Sequence, residues 1–209
     1  MSTDLTTFPG TPVTEYETAR PHIRSGDLLL CSGSAWIAKL IQCMTDSPWS
    51  HVAFIMRLDK IDRLMVLESV ETIGVRTVPL SHYLRDYRGR GSPYPGGIVI
   101  ARHADFEDNA TPDNLKRFGQ YAVDRLGYPY DGNEIAKIAA RIVSGVVDFP
   151  ASDRKLLRHD REYICSEYTD VCFGSCGVEF AHDGRGFISP ANIARDPRVS
   201  LEWVLRRAV

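Results

Sequence analysis

A cysteine, a histidine and a glutamate, Cys165, His51 and Glu68, make up a set able to carry out thiol chemistry on a carbonyl. Such a reaction needs a thiolate to attack the carbon and an imidazole to pass protons between thiol and leaving group. It also needs a carboxylate to hold the imidazole in the right tautomer. The stretch from Arg161 to Phe173 reads as a short extended run passing into an amphipathic helix, with Cys165 in the first turn. Backbone N–H groups at a helix start lack intrahelical partners and carry partial positive charge, so they favour thiolate and lower a thiol from its free value of about 8.5. Taken alone, the burial habit of cysteine makes a small core residue the default reading of Cys165. A base and an orienting group elsewhere are what turn it into a nucleophile.

Of the six histidines, His159 is nearest to Cys165 in sequence, but it sits in the charged run Asp153 to Asp160. His51 opens an apolar, strand-like run, Ser50 to Leu58, joined by Asp59-Lys60-Ile61-Asp62 to a second such run, Arg63 to Val70. The two read as a hairpin. If Leu58 pairs with Arg63, Ala53 faces Glu68 and His51 faces Val70. His51 and Glu68 then become diagonal neighbours on one face, roughly 7–8 Å apart at the backbone. A one-residue slip would put them on opposite faces.

The remaining elements frame this hairpin. Ser25-Gly26-Asp27 is a turn into the apolar strand Leu28 to Cys31, and Ser34 to Met44 has helical apolar spacing. Cys31 and Cys43 lie inside these patterns and are expected to pack. Val75 to Val78 and Gly97 to Arg102 complete the expected sheet. The long connection between them, with Tyr83, Tyr87 and Tyr94, is of the kind that lines grooves. Thr111-Pro112 caps a helix to about Leu126, and Asp131-Gly132-Asn133-Glu134 opens another through about Val143. Residues 144–160 form a connector or a lid. Asp183 to Gly186 marks a turn, and Val199 to Ala208 is read as a short terminal helix packing Trp203 and Leu205. Cys172 and Cys176 are expected to pack in the core. Glu167 is expected to steady the first turn of the Cys165 helix. Tyr163 has two open roles, polarising a substrate carbonyl beside the Cys165 N–H or packing as a buried tyrosine.

The outer limits are set by 209 residues, 44% hydrophobic and 25% charged, with a formal net charge of −2. This suits one domain, residues 21–209, behind a loose N-terminal arm, residues 1–20. The charge gives no general pull toward nucleic acid. No apolar run reaches the roughly 18 residues of a membrane span and no secretory leader is evident, so a cytoplasmic location without a membrane anchor is expected. Five cysteines without paired CxxC spacing argue against a disulfide framework or structural zinc, and no cofactor or metal is expected.

Five segments in order, Ser25-Gly26-Asp27-Leu28-Leu29, Ser50-His51-Val52-Ala53, Leu67-Glu68-Ser69, Gly127-Tyr128-Pro129-Tyr130-Asp131 and Tyr163-Ile164-Cys165-Ser166-Glu167, resemble the successive motifs of circularly permuted NlpC-like papain-fold proteins. The similarity is to the YiiX/YaeF-like branch, with lecithin retinol acyltransferase-like enzymes as more distant relatives. In ordinary papain-like enzymes the cysteine helix comes first, whereas here the histidine and glutamate strands precede it. The resemblance implies an α+β fold, an antiparallel sheet packed against helices that include the nucleophile helix. It also implies Cys165 as nucleophile, His51 as base and Glu68 as orienting residue. The implied activity is cysteine-dependent hydrolysis of an amide or peptide bond through a thioacyl-enzyme, on a small peptide or amide such as a recycled cell-wall peptide or isopeptide. Acyl transfer or ester cleavage on lipid acyl groups, and a noncatalytic binding module of the same fold, are the alternatives.

Overall fold

The computed structural model describes residues 10–130, 164–182 and 188–206. Seven strands form one sheet: β1 (Val13–Glu15), β2 (Leu28–Gly33), β3 (His51–Leu58), β4 (Arg63–Val70), β5 (Gly74–Pro79), β6 (Gly96–His103) and β7 (Val199–Arg206). Their spatial order is β1-β7-β6-β2-β3-β4-β5. Every pairing is antiparallel except β1 with β7.

The central strands are apolar on both faces because both faces are covered. Leu28 and Leu30 of β2, with Val52 and Phe54 of β3, join one core, while Leu29, Cys31, Ala53 and Ile55 join the other. On the first face lie α5 (Pro112–Val123) and α6 (Cys165–Gly174), whose Phe118, Tyr168 and Phe173 surround Phe54. On the second lies the short α3 (Leu80–Arg85), burying Leu80, Tyr83 and Leu84. Between β2 and β3 runs α2 (Trp36–Met44), and α4 (Ala104–Asp108) follows β6. The turn α1 (Tyr16–Ala19) follows β1, and α7 (Pro190–Arg195) precedes β7.

The hairpin has the expected register. Leu58 pairs with Arg63 and Phe54 with Leu67, and Asp62 closes the turn in a left-handed conformation at φ 49. Thr111 caps α5, its hydroxyl accepting from the Asn114 N–H.

Four expectations differ from what is observed. Residues 13–15 form an edge strand paired with β7, so this part of the 1–20 segment belongs to the sheet. Val199–Arg206 is a strand, not a helix: it is inserted between β1 and β6, and its run Val199, Leu201, Trp203 has the alternation a strand requires. Cys43 is exposed, because it falls well off the helix stripe on which Ala38 is buried. Tyr83 lies on a helix in what reads as a long loop. The expected helix after Asp131, the connector 144–160 with His159, the turn 183–186 and Tyr163 lie outside the described residues.

Candidate active site

His51 is the first residue of β3 and Glu68 sits on β4, both on the sheet face that also carries Tyr83. The β3–β4 register makes them diagonal neighbours, and His51 Nε2 lies 2.8 Å from Glu68 Oε2. Cys165 comes from the opposite face. Helix α6 packs across β3 with its first turn at the end of the strand, so the thiol meets His51 there, close enough for each to shift the ionisation of the other. With Nε2 on Glu68, Nδ1 is the ring atom left to face the thiol. Cys165 is 6% exposed.

Several contacts fix the helix start. Ser166 Oγ donates to the Ile188 carbonyl at 2.7 Å, Thr169 Oγ1 to the Cys165 carbonyl at 3.0 Å, and the Tyr168 hydroxyl to the Ala122 carbonyl at 2.9 Å. The Glu167 carboxylate accepts from the Ile164 N–H at 3.4 Å, the first-turn role expected of it.

The carboxylate is held from three directions. Arg76, opposite Glu68 on β5, donates Nε and Nη2 to Oε1 at 2.9 and 2.8 Å, and the fully buried Tyr83 donates its hydroxyl to Oε2. Sequence reasoning missed both. The one signal available was the β4–β5 pairing, which puts Arg76 directly across from Glu68; nothing local marks Tyr83. Glu68 has no exposed surface, so an anion there without these donors would be very costly.

These contacts set the ionisation of the group. Burial alone would lower the His51 pKa, but hydrogen bonds and charge from Cys165 and Glu68 outweigh it and push it up to about 10. Burial alone would raise Cys165, yet the His51 hydrogen bond and charge, helped by the Val52 and Ser166 backbone N–H groups, bring it below its ordinary value. Burial likewise opposes ionisation of Glu68, and the contact with His51 and the charge of Arg76 hold it lowered. The other buried thiols move the opposite way, Cys31, Cys172 and Cys176 all being pushed up by burial. Both shifts favour a thiolate–imidazolium pair, whose members titrate together.

This gives a pH prediction. Because the thiolate forms above the lowered Cys165 value and the imidazolium persists to about 10, the rise in alkylation by iodoacetamide should come at lower pH than for a free thiol. In His51→Ala the acid limb should move toward alkaline pH. Rates followed from pH 4 to 10 by mass spectrometry at Cys165 check this. An unshifted limb in the variant would contradict the pairing.

Two openings flank the thiol. A groove of about 350 Å³ is lined by His51 and Cys165 together with Ser50, Tyr87, Tyr94 and Tyr130. An apolar slot of about 40 Å³, also bordered by Cys165, lies between Leu40, Ile41, Met44 and Ile188.

The flanking motifs build this frame. Gly26, at φ 86, lies so close to Phe106 that a Cβ there would fall 1.8 Å from the ring. Asp27 is clasped by Arg102 Nε and Nη2 at 2.7 and 2.9 Å. After α5, Tyr128 accepts from the Val75 N–H at 2.8 Å and Gly127 donates to the Val75 carbonyl at 2.9 Å, which brings Tyr130 into both openings. Among the described residues, no group of three or more His, Cys, Asp or Glu side chains is placed to hold a metal ion, and no helix is long and apolar enough to cross a membrane.

Comparison with known proteins follows the same lines. Residues 22–138 match the family described as permuted papain-like amidase enzyme, YaeF/YiiX, C92 family, a span that includes His51 and Glu68 and ends before Cys165. The crystal structure of metalloprotein yiiX from Escherichia coli O157:H7 is similar in fold. It has a TM-score of 0.58 and 17% identity, over 87% of this chain and 98% of that one. No curated protein matches the sequence.

Proposed function

Since the chain belongs to the permuted papain-like amidase family, we propose that it hydrolyses a small amide or peptide bond through a thioacyl-enzyme on Cys165, with His51 as acid and base and Glu68 as the orienting carboxylate. The observation that carries this reading is the convergence of an acidified thiol, a protonated imidazole and a buried carboxylate at the mouth of a groove.

In the first half-reaction the thiolate sulfur of Cys165 attacks the carbonyl carbon, and the π electrons move to oxygen. The tetrahedral adduct collapses as the C–N bond breaks, and the imidazolium gives its proton to the departing nitrogen. The neutral imidazole then takes a proton from water. The hydroxide equivalent attacks the thioester, the C–S bond breaks, and the carboxylic product leaves with the thiolate–imidazolium pair restored. Glu68 keeps Nε2 protonated and engaged throughout, so that Nδ1 faces sulfur and substrate. The small slot beside Cys165 supports a short apolar substituent over a long acyl chain, since about 40 Å³ holds roughly three water-sized groups.

Acid quenching of the enzyme during turnover of a peptide-amide library tests the proposal. Intact-mass and peptide mapping should find an acyl adduct on Cys165 that disappears with hydroxylamine. Turnover without any adduct, undiminished in Cys165→Ser, would rule out the thioacyl route.

A further inference from the structure

We propose that the groove beside Cys165 selects amides carrying a carboxylate, which Arg88 and Arg90 bind; this rests on the amidase reading and names its substrate class. Both arginines line the groove that holds His51 and Cys165. Arg88 also borders an adjoining cavity of about 350 Å³ with Arg76 and His82, so it stands on the ridge between the two. Elsewhere the described arginines are commonly matched with acids: Arg20 with Asp62, Arg57 with Asp59, Arg76 with Glu68, Arg102 with Asp27, and Arg198 with Asp105 and Asp196. Arg88 and Arg90 are exposed and, among the described residues, form no ion pair. Glu71 is the single acidic side chain among the described residues lining that groove.

The turn that carries them is built rather than loose. The Asp86 carboxylate accepts from the Gly91 N–H at 2.6 Å, and the Tyr87 N–H donates to the Ser92 carbonyl at 2.7 Å. Arg88 itself is held at φ 59, ψ 29, a left-handed conformation that costs a side-chain-bearing residue free energy and suits glycine. Glycines stand at 89 and 91, both at positive φ, yet the position between the groove and its neighbour keeps an arginine. Its guanidinium carbon lies 5.4 Å from the centroid of the Tyr87 ring, which aims it. Tyr87 in turn packs on Tyr83 and Tyr94 at 5.0 and 4.9 Å, tying the turn to the tyrosine that holds Glu68. Two guanidinium forks beside a nucleophile that attacks amides match a planar carboxylate, which each can bind through two parallel hydrogen bonds.

The test uses a matched pair of thiol probes, N-iodoacetyl-glutamic acid α-amide and its neutral isostere N-iodoacetyl-glutamine amide. The readout is the ratio of their alkylation rates at Cys165. Wild-type protein at low salt should show an acid-to-amide ratio about five-fold larger than Arg88→Gly/Arg90→Ala, and the excess should shrink as salt is added. Glycine is chosen at 88 because it sits at φ 59 without strain, so the turn is kept. Arg90→Glu alone, at an ordinary φ of −98, should invert the preference, whereas Arg63→Ala on the distant hairpin should leave it intact. Equal ratios in wild type and double variant would overturn the proposal. A phosphoserine analogue of the probe favoured over the glutamate one would overturn the carboxylate assignment. If neither probe alkylates Cys165, the nucleophile reading fails. The anion site is then judged by calorimetry with N-acetyl-glutamic acid α-amide: binding to wild type that is lost in the double variant upholds it, and equal binding or none refutes it.

Discussion

His51→Ala is expected to lower kcat/KM by roughly 10³–10⁴-fold while leaving the fold intact. The imidazole supplies two things at once. It lowers the Cys165 pKa by hydrogen bond and charge, and it is the proton donor for the departing nitrogen. Without it the thiol reverts toward the raised values that burial imposes on Cys31, Cys172 and Cys176, and the leaving group departs unprotonated. His51 lines the groove and is partly exposed, and Glu68 keeps Arg76 and Tyr83 when the imidazole is removed. Steady-state kinetics on any amide found to turn over, with a denaturation curve for each protein, measure both halves. His159→Ala should be far milder, and an equal loss in that variant would count against His51 as the base.

Glu68→Ala is expected to destabilise the protein by about 3–5 kcal/mol, the range for breaking a buried, hydrogen-bonded charge pair by removing one partner. The substitution strips the acceptor from Arg76, from the fully buried Tyr83 hydroxyl and from His51 together. Glu68→Gln keeps the shape and one acceptor oxygen and should cost less. Because the folded-state Glu68 pKa is lowered, its contribution is present above the unfolded carboxylate value and is lost as pH falls through the folded one. Urea unfolding at neutral and acid pH reads this directly. The wild type should lose stability on acidification, and the gap between it and Glu68→Ala should narrow. A gap that is constant with pH would mean the carboxylate is not the stabilising form.

What could be read from the sequence, and what could not, follows from the range of each interaction. The β3–β4 register was legible because a four-residue polar link joins two apolar runs whose ends must pair, and that register alone sets His51 beside Glu68. Cys165 was legible as the start of a helix, but its approach to His51 depends on α6 packing over β3 from the other face, which the five ordered motifs implied through resemblance and no local pattern states. Tyr83 was hidden for a similar reason. It reaches Glu68 from a short helix that a run of Tyr, Gly and Pro disguises as a loop. Strand β7 was misread because the alternation of Val199, Leu201 and Trp203 is short and runs into the adjacent apolar pair Val204-Leu205, and it is the open edge of β6 that decides. The N-terminal strand β1 is only three residues long and gains its structure entirely from pairing with β7.

The central claim is that Cys165, His51 and Glu68 act as one unit, and a double-mutant cycle in kcat/KM on His51 and Glu68 tests it most directly. Glu68→Gln alone should lose less than His51→Ala, since the carboxamide keeps a contact to the ring but not the charge that stabilises imidazolium. If Glu68 works only through His51, the variant carrying both changes should be little worse than His51→Ala alone. A double variant that shows the full product of the two separate losses, with folding unchanged, would mean that Glu68 acts independently of His51 and would contradict the account.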